Sequence, residues 1–143
     1  MSIQINGKMT YADNSNSSEV KPYRWQLSYN NYINSGVSTL TGRSGQPLFS
    51  QRQGTSGLDS ASGADNGYSP GVNVPFNLAA RHGPTFINGA HEGTLLTANT
   101  TPTIPPDLSS TVLNLGYIFM GTIGQFRVWD EDLTDAGIVG AST

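Results

Sequence analysis

The sequence contains no cysteine, which excludes a disulfide framework and any thiolate metal site. Charge is scarce as well: acidic and basic side chains make up 12% of the 143 residues, about half the share usual for a globular domain. The net charge is −3, so the chain lacks the basic surplus that a phosphate backbone or an anionic membrane surface would need. Neither nucleic acid nor membrane is therefore an expected partner. No apolar run approaches the ~18 residues of a membrane-spanning helix. The opening residues, MSIQINGKMTYADN, have no cationic start and no apolar stretch, so no secretory signal is read there. The expectation is a protein made in a cytoplasm that leaves it, if at all, by another route. Also missing are the long Leu-, Ala- and Glu-rich windows that helices need.

Serine, threonine, asparagine and glycine fill the gap, at roughly two-fifths of the residues. A surface of hydroxyls and amides suits close packing against neighbours, and equally suits exchange of hydrogen bonds with sugars. The length fits one domain over residues 1–143, large enough to carry a single core.

Short apolar–polar alternations recur along the chain, separated by Gly, Asn, Ser and Pro. Ile3 and Ile5 alternate, and Asn6-Gly7 predicts a tight turn into Met9 and Tyr11. Tyr23, Trp25, Leu27 and Tyr29 alternate with Arg24, Gln26 and Ser28, so their aromatic face is expected in the core. Residues 47–53 read as another strand. Residues 54–71 read as a long polar connection on the surface. Val72, Val74, Phe76 and Leu78 alternate again. Asn88-Gly89 then predicts a type I′ hairpin turn, flanked by His82 and His91 in exposed turns. Pro102, Pro105 and Pro106 interrupt any ladder. Strands resume at Val112, Leu113 and Leu115 and at Ile123, Phe126, Val128 and Trp129, with Gly124 marking a bulge. Residues 133–139 form the one expected helix, with Thr134 as its cap and Asp135 near its positive end. Trp25, Phe76, Phe86, Leu113, Ile123, Phe126 and Trp129 are the expected core. Spaced short strands and one terminal helix predict an all-β fold, a two-sheet antiparallel β-sandwich.

The second half follows an order of motifs. Asn88-Gly89 precedes the Leu113–Gly116 element (LNLG); Gly121-Thr122-Ile123 follows, then Phe126 to Trp129, then Leu133-Thr134-Asp135-Ala136. This order resembles the closing half of concanavalin-A-like and laminin-G-like jelly rolls, over roughly residues 74–139. It is similar in particular to domains of that fold in tailed-phage structural proteins, including virion decoration and fibre proteins. Gly137 stands where the resemblance calls for an acidic residue. The resemblance implies a jelly roll and a virion location.

Chemistry is sparse. Retaining glycoside hydrolysis needs two carboxyl groups ~5 Å apart on rigid backbone. Glu19, Glu92 and Glu131 are the only glutamates, and none has a carboxylate two positions away on an evident strand. Asp130, Glu131, Asp132 and Asp135 cluster, but their spacing suits a helix start better than a calcium loop. No nucleophile elbow or phosphate-cradling glycine motif occurs, so no catalytic residue, metal or cofactor is expected. The candidate contact residues are Tyr32, Tyr68 and Tyr117, placed in loops, with Asp59, Asp65 and Asn66. A loop aromatic beside Asn or Asp serves a glycan or a neighbouring subunit equally well.

Two functions follow as expectations. The first is a non-enzymatic virion subunit of a tailed phage, acting through contacts with other virion proteins and forming a homo-oligomer, a trimer at a three-fold site. Those contacts are expected from residues 2–6 and 54–71. The alternative is a carbohydrate-binding, lectin-like module that recognises host-surface glycans.

Overall fold

The computed structural model describes residues 1–10, 19–38, 45–55, 58–63 and 72–143. Two antiparallel sheets pack face to face, each with five strands. The first, sheet A, has the order β10 (Gly121–Trp129), β1 (Ser2–Met9), β6 (Pro75–His82), β7 (Ile87–His91), β8 (Thr94–Leu95). The second, sheet B, has the order β5 (Asp59–Ser62), β4 (Pro47–Gln53), β3 (Asn31–Ser38), β2 (Glu19–Ser28), β9 (Val112–Tyr117). One helix, α1 (Thr134–Ala141), closes the described chain.

The period-2 alternation sorts the residues onto faces. Ile3 and Ile5 of β1, Phe76, Leu78 and Ala80 of β6, and Ile87 of β7 point inward from sheet A. Tyr23, Ile33, Phe49 and Ala61 meet them from sheet B. Tyr23 and Phe126 make an edge-to-face contact at 5.9 Å between centroids, and Phe76 and Phe119 another at 5.8 Å.

The outer face of sheet A carries the helix. Ala79 and Ala90 leave room there, and Ile138 packs onto them, fully buried. The Ser2 hydroxyl fixes the helix start, accepting from the Leu133 N–H at 3.0 Å and donating to the Glu131 carbonyl at 3.1 Å. Arg81 of β6 completes the attachment. It donates to Asp135 at 2.6 Å and Asp132 at 2.5 Å, while its guanidinium lies 3.9 Å from the Phe86 ring centroid. Two members of the acidic cluster, Asp132 and Asp135, therefore bind an arginine.

Several expectations are corrected. Asn88-Gly89 is no turn: both residues lie inside β7, and Gly89 does not have positive φ. The reversal occurs at Glu92-Gly93, with φ of 44° and 73°. Gly89 is required for another reason. A Cβ there would stand 2.0 Å from the Phe49 ring, which crosses the sandwich to lie against the β7 backbone. Asn6-Gly7 is likewise a register shift inside β1, opposite the extra residue Gly124 of β10, and so the bulge expected at Gly124 is present. Residues 2–6 belong to a strand paired on both sides, with Ile3 and Ile5 completely buried, so they form core rather than a contact arm. Trp129 pairs with Ser2 and therefore shares the helix side, opposite to Phe126. Phe86 is only half-buried, under Arg81. Leu27, Val72 and Val74 are exposed. Thr134 does not cap the helix; the preceding Leu133 holds that position with no side-chain hydrogen bond, and Thr134 itself has φ of 65°. Part of the long polar connection is strand β5.

His82 is the largest departure among polar residues. Expected in an exposed turn, it ends β6 on the inner side, 2% exposed, with Nδ1 3.3 Å from Gln51 Oε1. Burial, with the positive N-terminus nearby, pushes its pKa down to about 3. His91 is also buried, at the end of β7, and burial lowers its pKa too.

Candidate functional site

The outer face of sheet B holds the polar positions of the same alternation that builds the core. Arg24 lies between the core residues Tyr23 and Trp25, Tyr32 and Asn34 flank Ile33, and Ser50 and Arg52 flank Gln51. The register brings these residues together. Arg24 pairs with Asn34 and Asn114, Gln26 with Tyr32, Tyr32 with Arg52, and Asn34 with Ser50.

The Arg24 guanidinium sits 4.1 Å from the Tyr32 ring centroid and 5.2 Å from that of Tyr117. Tyr117 reaches this face at the end of β9, just after Gly116, whose φ of 77° breaks the strand alternation. Arg52 lies 5.6 Å from the Tyr29 ring, and Tyr29 is 78% exposed. Burial raises the pKa of the Tyr32 hydroxyl, and the lowering by Arg24 and Arg52 only partly offsets it. The phenol therefore stays protonated and can donate.

The site has a buried floor and an accessible rim. Arg24, Tyr32, Asn34 and Ser50 make the floor. Arg52, Tyr117, Gln26, Asn114 and the exposed Tyr29 make the rim. Arg24 Nε, Asn34 Oδ1 and Ser50 Oγ are buried with no hydrogen-bond partner among the described residues. Such groups are costly in a folded protein unless something rewards their retention. Glu19 pairs with Lys21 at 3.0 Å nearby, and among the described residues no carboxylate pairs with Arg24 or Arg52. Two arginines without a carboxylate partner among the described residues thus stand on one face of a chain whose net charge is −3.

Of the six sequence candidates, Tyr32 and Tyr117 belong to this cluster, though on strands β3 and β9 rather than in loops. Asp59 does not. It opens β5 opposite Gln51, and its carboxylate accepts from the Thr103 N–H at 2.8 Å and the Thr103 hydroxyl at 2.6 Å. Gln51 donates to the Thr103 carbonyl at 2.6 Å, so the two residues fasten the proline-rich connection to the sandwich. Tyr68, Asp65 and Asn66 lie outside the described residues. Arg24, Arg52, Asn34 and Ser50 were missed. Their only trace in the sequence is that they occupy the polar positions of alternating strands, and pairing between distant strands is invisible there.

The opposite face also has a groove, of about 330 Å³, between β1, β6, β10 and the chain end. Its central polar residue is already committed. Asn77 Nδ2 donates to the Ala141 and Thr143 carbonyls, at 3.2 and 3.0 Å, and its Oδ1 accepts from Gln4 at 2.8 Å. Among the described residues no group of three metal-ligating side chains occurs.

No family model and no curated protein sequence matches the chain. Solved structures do. The CBM40 domain of the Ruminococcus gnavus IT-sialidase, bound to alpha2,6 sialyllactose, aligns with a TM-score of 0.70 at 13% identity, over 99% of this chain and 82% of that one. The leech intramolecular trans-sialidase, complexed with 2,7-anhydro-Neu5Ac, aligns with a TM-score of 0.73 at 16% identity, over 99% of this chain and 23% of that one. The native heptameric SAP-like pentraxin of Limulus polyphemus aligns with a TM-score of 0.64 at 10% identity, over 99% and 69%. At these identities the likeness establishes architecture, and this chain has the jelly-roll β-sandwich fold found in lectin-like and carbohydrate-binding domains.

Proposed function

We propose that this chain is a non-enzymatic, lectin-like domain that binds an acidic glycan on the outer face of sheet B. The observation that carries the reading is the Arg24–Tyr32–Tyr117–Arg52 cluster, two cations among phenol rings with no carboxylate partner among the described residues. Guanidinium groups take carboxylates in paired hydrogen bonds. The exposed Tyr29 ring and the half-buried Tyr117 ring offer apolar faces to a pyranose, and Gln26 and Asn114 offer amides to its hydroxyls. A fold neighbour captured with sialyllactose supports a sialylated or otherwise carboxylated sugar as the ligand class. The virion setting rests on the sequence resemblance, and a module that recognises host glycans fits such a setting.

Titration of sialyllactose against lactose tests the reading. Sialyllactose is expected to bind and lactose to bind at least tenfold more weakly. Affinity should fall with added salt and be lost in Arg52→Ala. Equal binding of the two sugars, or unchanged affinity in Arg52→Ala, would overturn the assignment.

A further inference from the structure

Arg24 poses a problem for any ligand that is to use it. It is 8% exposed and lies against two rings, 4.1 Å from the Tyr32 centroid and 5.2 Å from that of Tyr117. Its Nε is buried and has no hydrogen-bond partner among the described residues. A carboxylate has to reach the guanidinium past one of these rings. Tyr32 is the fixed one: it is buried in the middle of sheet B, paired with Gln26 on one side and Arg52 on the other. Tyr117 ends β9, an edge strand, and pairs with Lys21 on one side only.

The backbone on both sides of Tyr117 is left-handed. Gly116 has φ of 77° and Ile118 φ of 50°. Glycine takes this region at little cost, but a β-branched residue does so under strain. Packing does not compensate for it, since Ile118 is 52% exposed. The chain is anchored on either side of this turn. Leu113 packs on the core, and so does Phe119, which meets Phe76 edge to face. The segment left to swing is residues 116–118, a glycine hinge, an aromatic ring and a strained neighbour. Strain of this kind collects at ligand clamps and switches, where it brings two conformations close in energy.

We propose that Tyr117 is a gate over Arg24, that the 116–118 turn swings it outward, and that an anionic ligand reaches the guanidinium only in the open form. Regular alternation would carry Tyr117 to the side of Leu115, and the left-handed Gly116 turns it onto the Arg24 face instead. In the open form the guanidinium exchanges one ring for a carboxylate, which also engages the Nε. The choice of ligand rests on the acidic-glycan reading, whereas the covering of Arg24 does not.

Phenylglyoxal, which condenses with accessible guanidinium groups, tests the gate without a sugar. Mass spectrometry follows the adduct at Arg24, with the exposed Arg127 as a reference in the same molecule. Arg24 should react at least tenfold more slowly than Arg127, and Tyr117→Ala should raise its rate at least tenfold. Gly116→Ala should raise it as well. The added Cβ meets nothing nearer than Phe119 at 3.7 Å, so the substitution acts through φ and disfavours the shut turn. Ile118→Asn should lower the rate, because asparagine tolerates the left-handed region and favours the shut turn. Opposite signs at the two neighbours of Tyr117, with Arg127 unchanged, distinguish a gate from a fold that is merely looser. Equal rates at Arg24 and Arg127, no response to Tyr117→Ala, or shifts of one sign in Gly116→Ala and Ile118→Asn would each overturn the gate. Sialyllactose binding kinetics separate the two readings, with faster association expected in Tyr117→Ala. A gated Arg24 in a protein that ignores sialyllactose would sink the glycan reading alone. Binding with an unchanged association rate in Tyr117→Ala would sink the gate alone.

Discussion

Each outer face of the sandwich withdraws an arginine from water, and the two arginines are treated in opposite ways. On sheet A, Arg81 stacks on Phe86 and is held by the carboxylates of Asp132 and Asp135. Asp135 also accepts from Asn88 at 3.0 Å, so the cluster is closed on itself and binds the helix down. On sheet B, Arg24 also lies on aromatic rings, and its Nε lacks a partner just as the Arg81 Nε does, but among the described residues no carboxylate answers it. Burial and charge type are alike in the two places. What separates a structural clamp from a candidate binding site is whether carboxylates of the fold already hold the guanidinium.

The strongest way to break this contrast is to attack the layer that both faces share. His82 has a pKa of about 3 in the fold against 6.5 when unperturbed. As pH falls, the unfolded chain takes up the proton first. Stability should be intact above pH ~6.5 and decline as pH drops toward ~3, by up to ~4–5 kcal/mol. Denaturant titrations at stepped pH check this, and His82→Gln should flatten the decline. A flat profile in the wild-type protein would mean that the histidine reaches water.

Next in size is Arg81→Ala, which leaves two carboxylates facing each other and loosens the helix. Those carboxylates are partly exposed, which screens the loss to ~1–3 kcal/mol. Burial acts to raise the Asp135 pKa, but Arg81 and Asn88 outweigh it and hold the carboxyl below the ordinary carboxylate range. The stabilisation is therefore present at neutral pH and is lost as pH falls through that lowered value. Arg24→Ala should behave the other way round. Its stability cost should stay below ~2 kcal/mol, the scale of a desolvated cation–π contact, offset by release of a buried Nε without a partner, with sialyllactose affinity falling at least tenfold. Equal stability costs for the two arginine variants would erase the distinction between the faces. The smallest effect sharpens it. Ser50→Ala removes a buried hydroxyl without a partner among the described residues, so the free energy of unfolding should hold or rise, by up to ~1 kcal/mol. A fall would show that the hydroxyl is satisfied within the fold.

The alternation in YRWQLSY was enough to place Tyr23 in the core and to count Arg24 among the outward positions. It was not enough to bring Arg24 to Tyr117, which is distant in sequence and reaches the same face only after the positive φ at Gly116. Asn88-Gly89 shows the converse error. A dipeptide with strong turn preference lies in a strand because the Phe49 ring from the other sheet needs the space a side chain would fill. His82 was misread because the sequence cannot show that Gln51 faces it across the sandwich.

The sequence by itself determined the class of the molecule. Short alternating strands, the lack of helical windows and the lack of cysteine leave a two-sheet sandwich whose stability comes from one apolar layer, since period-2 patterning is a local property of the chain. The tertiary structure alone decided which polar residues meet. Cross-strand register and sheet stacking join positions far apart in sequence, and the free energy that fixes them is shared across the whole interface. That is why Asp59, a plausible contact residue in the sequence, holds Thr103 in place, while Arg24, one polar letter among many, stands at the centre of the candidate site.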